Sequence, residues 1–378
     1  MSRAGGQIIT EQKSTRKNHE LPCTHKDPPM DLQSGSPFFR LPRELRDQIY
    51  ITLFTSTRLT FGERSLDRIG RQRMKPAPNS LALLRSCRRV HEETKSLWLR
   101  HVLFSFENAE HMMDKLSPLP ESTLAQIRFA RTGGRPVMMT PPGEDDDVYY
   151  RVPFVLKLLP GLRLDTLTVL ADTGPEVAYE TLDMFVKHGH GWKELHFISH
   201  SSSVLAFASD TLYRRKLQPG AWHEALLRRD GRNSGASVVI YRSTHPGVRG
   251  SVLNQGSRRP FSQTVSPREQ LRLFGETADQ ELLGPGEKTK EVLIVVKRGR
   301  GSDLSDVGSP PYSWDDPREW ANGKKWATIR QECIDYMLSW DDDLDDLDGL
   351  FSSSDEGEAE ADIYDDPEEY IFPPFLEP

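Results

Sequence analysis

Residues 291–297, Glu-Val-Leu-Ile-Val-Val-Lys, restrict the fold more than any other stretch of this chain. Val292, Leu293, Ile294, Val295 and Val296 are all aliphatic, and three of the five are valine. A run this short cannot span a membrane, and it has no polar side to turn to water. It predicts a strand buried on both faces, and therefore a central one. The chain upstream supplies neighbours for it. Residues 109–116, 150–159 and 179–188 have helical spacing, and residues 124–129, 164–170 and 193–198 read as strands. Helices alternating with strands imply a parallel or mixed sheet with helices packed on it. The strand spacing of about 30–40 residues is long for a leucine-rich repeat, and a degenerate solenoid-like sheet fits it. Residues 204–215, after Ser201–Ser203, and residues 221–229 suggest two further helices, and residues 238–241 another strand. Residues 243–290 are rich in Gly, Pro, Ser and Arg, with a helix suggested at 267–274; they read as a mobile linker, after which 291–297 returns to the sheet. A last amphipathic helix is expected at 327–340.

Ahead of this body stand two helical pieces. Leu41, Leu45, Ile49 and Leu53 recur every four residues and so share one face of a helix. Pro42 suits its first position, and Glu44 favours the positive end of the helix dipole. In residues 81–106, Leu83, Cys87, Val90, Thr94 and Leu97 form a second stripe, with Asn79 or Ser80 as N-cap. The stripes predict one buried cluster holding Leu45, Ile49, Leu84 and Cys87. An apolar strand is expected at 102–106. The pattern Leu41-Pro42-x-Glu44-Leu45-x-x-x-Ile49, followed by Leu83-Leu84-x-x-Cys87-Arg88-x-x-x-x-Glu93, resembles a group of fungal F-box-like proteins over residues 37–107. The resemblance implies that this half binds a Skp-type adaptor of a cullin ubiquitin ligase, through Leu41, Pro42, Leu45 and Ile49, and that the body binds a substrate protein. Residues 55–79 are an insertion relative to the family pattern. On the residues alone, the Leu41–Leu45–Ile49 face is either core or a docking contact.

Charge is divided unevenly along the chain. The net charge is -7, yet residues 341–378 hold 10 Asp, 6 Glu and no Lys or Arg. Taking those 16 from 56 acidic residues leaves 40 against 49 basic ones, a net +9 for the rest. Within the tail, Trp340, Leu344, Leu347 and Phe351 are spaced 4, 3, 4, with aspartates between them. Such a segment cannot form a core alone, but it can fold as an amphipathic helix against a partner groove. Its composition resembles acidic activation segments. It equally suits a solubilising tail, or one that shields the basic body.

Chemical motifs are sparse. The three cysteines, Cys23, Cys87 and Cys333, argue against a disulfide framework and for a reducing compartment. His19, Cys23 and His25 lack a fourth ligand, and His188, His190, His196 and His200 sit in no H-E-x-x-H frame. The basic run from Arg58 to Lys75 has little aromatic interleaving for base stacking. G-x-S-x-G, P-loop and Rossmann fingerprints are absent from the sequence. The expectation is therefore a non-enzymatic interaction protein, cytoplasmic or nuclear, with no metal, cofactor, nucleic acid or membrane. Its fold is α+β or α/β, with an F-box-like helical pair packed on a mixed sheet with helices. The expected organisation is a disordered arm at 1–36, the helical region at 37–107, an α/β body at 108–242, the linker at 243–290, the returning strand and final helix at 291–340, and an acidic disordered tail at 341–378. The rival expectation is a nuclear regulator with a basic body and an activation-like tail.

Overall fold

The computed structural model describes residues 35–67, 70–73, 81–144, 146–206, 216–264, 280–305, 312–313 and 316–334. Residues 1–34 of the expected arm at 1–36, the suggested helix at 267–274 and the tail therefore lie outside the described residues. So do His19, Cys23, His25, Trp340, Leu344, Leu347 and Phe351. The described residues fall into two compact units, one up to Asp47 and the other from Gln48 onward, with the boundary inside helix α1 (Arg43–Thr55). In the first unit, Arg46 donates from Nη1 to the Leu41 carbonyl at 2.5 Å and lies over the Phe39 ring.

The second unit is built on one eight-stranded sheet. Its strands are β1 (Arg58–Phe61), β4 (Leu103–Phe106), β5 (Phe129–Gly133), β8 (Leu164–Ala171), β9 (Trp192–Ser199), β10 (Ser237–Pro246), β11 (Arg258–Phe261) and β12 (Lys290–Lys297). Two small hairpins stand apart, β2 (Glu63–Asp67) with β3 (Gly70–Arg73), and β6 (Val137–Met139) with β7 (Val148–Tyr150). The sheet order is β1-β4-β5-β8-β9-β12-β10-β11. The first five strands are parallel, and β12, β10 and β11 add antiparallel. The apolar run at 292–296 thus sits between β9 and β10, buried throughout, as its composition requires.

Each parallel step moves one strand further in the same direction. Right-handed crossovers then bring the connecting helices to one face. These helices are α2 (Arg88–Thr94) and α3 (Trp98–His101), then α4 (Ala109–Leu116) and α5 (Glu121–Leu124), then α6 (Val152–Val155) and α7 (Pro175–His188). Helix α8 (Gly220–Asp230) packs beside α7. Helix α4 shows the local logic. The Asn108 side chain caps it by accepting from the His111 N–H at 2.9 Å, and Ala109, Met112, Met113 and Leu116 bury one stripe. Facing these helices is a row of apolar residues in register across seven strands: Leu59, Phe104, Ala130, Leu167, Leu195, Val296 and Val238. All seven are buried.

The C-terminal arm folds back on the body. Helix α9 (Pro285–Lys288) precedes β12, and helices α10 (Arg318–Ala321) and α11 (Trp326–Cys333) close the described chain. Asp316 pairs with Lys157, Trp320 donates to the Tyr150 hydroxyl at 2.7 Å, and Trp326 donates to Asp114 at 2.7 Å.

Several expected elements differ. The single helix expected from the Leu83–Leu97 stripe is broken into a 3-10 turn at Ala82–Arg85, then α2 and α3. Cys87 is extended at the break, and its thiol accepts from the Val90 N–H at 3.4 Å; it caps α2 rather than filling a core. Residues 124–129 hold the end of α5 and only the start of β5, because the strand begins where the pairing with β4 and β8 begins. The stretch 243–290 is partly ordered: β10 runs on to Pro246, and β11 pairs with it.

Candidate functional site

Helix α1 carries two stripes with a spacing of four residues, and they lie in different environments. Arg46, Tyr50 and Phe54 are buried, the last two at 0% exposure. Leu45, Ile49 and Leu53 are 50%, 46% and 42% exposed. The expected buried cluster of Leu45, Ile49, Leu84 and Cys87 is therefore overturned. Leu84 and Cys87 are half-buried, and Leu41 is half-buried beside exposed Pro42. The burial of α1 in the second unit comes through Tyr50, whose hydroxyl donates to Glu93 at 2.9 Å, and Glu93 also pairs with Arg89. Among the described residues, Leu45, Ile49 and Leu53 are three of five large exposed apolar side chains; the others, Tyr149 and Val248, stand elsewhere. Scattered exposed apolar residues are ordinary, but three on one helical face form a patch.

The second feature is the sheet face turned away from the helices. Side chains alternate along a strand, so the row next to the apolar one points the other way. It reads Thr60, Ser105, Arg131, Thr168, His196 and Val295, in register across six strands. Thr60, Ser105, Arg131 and Thr168 are 7%, 4%, 3% and 3% exposed. The next row on this face is Arg58, Leu103, Phe129, Thr166, Glu194 and Lys297. At the β9 end, His196 Nε2 lies 2.6 Å from Glu194, which also pairs with Lys297 at 3.2 Å. Burial raises the Glu194 carboxyl, but the bond to His196 and the Lys297 charge outweigh it and hold the group below its ordinary range. The cover that Val252 and Leu253 supply on this face packs on Ile198, Leu293 and Val295. Buried Glu291 fastens this cover by accepting from the Val252 N–H at 3.2 Å and the Ser251 hydroxyl at 3.3 Å, with His200 Nδ1 at 3.2 Å.

The four histidines are dispersed by this geometry. His188 stacks on Phe154, His196 faces Glu194, and His200 faces Glu291. Burial, followed by Lys157, Arg229 and Lys187, lowers the His188 pKa. Among the described residues no group of three His, Cys, Asp or Glu side chains is placed to hold a metal ion. A cleft of about 450 Å³ between α7 and α8 is lined by Lys187, Lys216, Trp222, Glu224 and Arg228. Asp183 at its side is held by Lys187 at 2.5 Å and by the Trp222 indole at 3.1 Å, an ion-paired arrangement. No described helix is long and apolar enough to cross a membrane.

Sequence reasoning identified the α1 stripe but missed the polar row. Its signal is present as one polar residue in the middle of each of four strands, Thr60, Ser105, Arg131 and Thr168. The register that aligns them is a long-range property. Comparison with protein-family models, curated proteins and solved structures finds no match for this chain.

Proposed function

We propose that this chain is a non-enzymatic, F-box-type interaction protein. On this reading α1 docks on a Skp-type adaptor of a cullin ubiquitin ligase, and the α/β body receives a substrate protein. The observation that carries the reading is the exposed aliphatic face of α1, with Leu45, Ile49 and Leu53 at 42–50% exposure while the neighbouring stripe is buried. The motif residues Leu45 and Ile49 lie on the exposed face, where a partner can reach them. Laying an apolar helical face on an apolar groove removes it from water and is a common mode of protein recognition.

The test uses full-length protein and a purified Skp-type adaptor. Ile49→Asp with Leu53→Asp places two charges in the proposed interface and touches no buried group. Binding should fall by about a hundredfold or more, as expected when an anchor is replaced by a charge, with an unchanged thermal melt. Absence of wild-type binding, or equal binding by the variant, would reject the reading. A nuclear regulatory role is the second reading, favoured by the segregation of charge into a basic body and a tail with 16 acids. Recovery of chromatin or coactivator components in place of adaptor and cullin in a native purification would support it.

A further inference from the structure

β11 is the last strand of the sheet, so its outer side pairs with no strand among the described residues. Charge at this edge is one-sided. Residues 237–264, which form β10, β11 and the connection between them, hold four Arg and no Asp or Glu. Arg242 is already engaged, with Glu287 and the Ser202 hydroxyl. Glu287 is shared with Lys290, and Glu291, at the start of β12, is buried and accepts from the Val252 N–H. The other arginines are not neutralised in this way. Arg249 and Arg259 are exposed, and among the described residues neither side chain makes an ion pair or a hydrogen bond. The Arg258 guanidinium lies 4.5 Å from the centre of the Tyr241 ring and pairs with no acid among the described residues. Beside Arg249, Val248 is 52% exposed.

We propose that this edge binds an extended acidic segment of a partner protein, with two consecutive carboxylates set against Arg258 and Arg259. Register gives the reason for the pair. Arg258 stands opposite Ser243, and Arg259 stands opposite Arg242. Successive side chains point to opposite faces of a strand, so the two arginines project to opposite faces of the sheet. The ring contacts agree. Arg258 lies over Tyr241, on the face that Val252 and Leu253 cover, and Arg242 lies over Phe261, on the other face. A strand laid beside β11 alternates in the same way. It meets both charges only where two neighbouring residues are acidic. Arg249, in the connection that folds over the Tyr241 face, adds a further charge, and Val248 adds an apolar contact. Strand addition at a free edge is a common mode of peptide recognition. Guanidinium groups donate charge-assisted hydrogen bonds to carboxylates.

Other occupants fit this edge less well. Arginine and proline on an edge keep like edges apart. In a second copy of this chain, Arg258, Arg259 and Pro260 would meet their own counterparts. Nucleic acid would need open rings for base stacking, and the Tyr241 and Phe261 rings each already have a guanidinium over them. For its role in the cell this edge rests on the substrate-binding half of the proposed function. Binding at the edge requires no adaptor, so the adaptor reading and this one fail separately.

Fluorescence anisotropy with the full-length protein and two labelled peptides of about ten residues tests the proposal. Both peptides have the same content of Glu, Thr and Val. In one the Glu residues come in adjacent pairs, and in the other they alternate with Thr. The paired peptide should bind saturably, at least about fivefold more tightly than the alternating one. Its binding should weaken as salt is added. Arg249→Glu with Arg259→Glu should weaken it at least about tenfold, since like charges then face each other. Both side chains are exposed, so the thermal melt should be unchanged. The proposal is overturned by a lack of saturable binding to the unaltered chain, by equal affinity for the two peptides, or by equal binding to the double variant. It is also overturned if a single-stranded oligothymidine binds more tightly than the paired peptide and loses that binding in the variant. A dimer of the unaltered chain that the double variant loses would assign the edge to a second copy, and would overturn it too.

Discussion

Arg298 and Asp230 show how single side chains hold this fold. Arg298 follows β12 and Asp230 ends α8, and their side chains are 3% and 1% exposed. The guanidinium donates from Nε to Oδ2 at 2.7 Å and from Nη2 to Oδ1 at 2.8 Å, while the Gly299 N–H donates to Oδ2 at 2.8 Å. The neighbouring Arg229 reaches across to the Val186 and Gly189 carbonyls at the end of α7. The pair therefore joins a central strand to the helical layer. Burial raises the Asp230 carboxyl, but the bonds from Arg298 and Gly299 outweigh it and set the group below its ordinary 3.8. Removing one partner leaves the other charge buried, so Arg298→Ala should cost about 3–5 kcal/mol in a urea melt. The pH dependence has a definite sign. A carboxylate with a lowered folded pKa adds stability that is complete above its unfolded value and is lost as pH falls through the folded one. The difference between the unaltered chain and Asp230→Asn should stay constant from neutrality to about pH 5 and shrink below 3.8. A difference that grows as pH falls would contradict this account.

At the scale of elements, α1 shows why a sequence can locate a helix yet leave its orientation open. Leu41, Leu45, Ile49 and Leu53 form one stripe, and Arg46, Tyr50 and Phe54 form another about 100° away. The first is more apolar, and hydropathy alone favours it as the core. The structure buries the second. Arg46 buries its stem while its head bonds to the Leu41 carbonyl, and Tyr50 places its hydroxyl on Glu93. Phe54→Ala should therefore cost about 3–5 kcal/mol. Leu45→Ala, at half exposure, should stay within about 0.5 kcal/mol. Equal losses in denaturant melts of the two variants would show that both stripes are buried in solution. Elsewhere, elements whose periodicity matches their burial were legible: α4, α7, β8, β9 and the central β12. The break of the second motif helix at Ser86–Cys87 was hidden because its apolar spacing continues through the break. The polar row was hidden for another reason: parallel register depends on contacts between residues some 25–45 positions apart, which local pattern does not encode.

On the scale of the whole molecule, the C-terminal third separates into a part that completes the core and a part that sets the charge. Residues 316–333 belong to the first. Lys157 and Asp316 pair with 11% and 2% side-chain exposure, and Trp326, Ile329 and Cys333 are buried. Residues 341–378 belong to the second, with 16 acids and no base. Two truncations distinguish them. A chain ending at residue 311 loses Asp316 from beside Lys157, Trp320 from Tyr150, and Trp326 and Arg330 from Asp114. Deleting a buried Trp or Ile side chain alone costs about 2–5 kcal/mol, against a total of about 5–15 kcal/mol for a typical domain. That truncation should abolish the cooperative melt. A chain ending at Trp340 keeps every one of these contacts and should still melt cooperatively, because a segment with 16 acids and no base has too little apolar surface and too much like charge to be part of a core. Its net charge moves from -7 to +9. It should bind a heparin column more tightly than the full chain, with a difference that salt removes, since unscreened positive charge then meets the polyanion. Loss of the cooperative melt on removing 341–378 would place the tail in the core. Equal elution of the two chains would show that the acids do not shield the basic body.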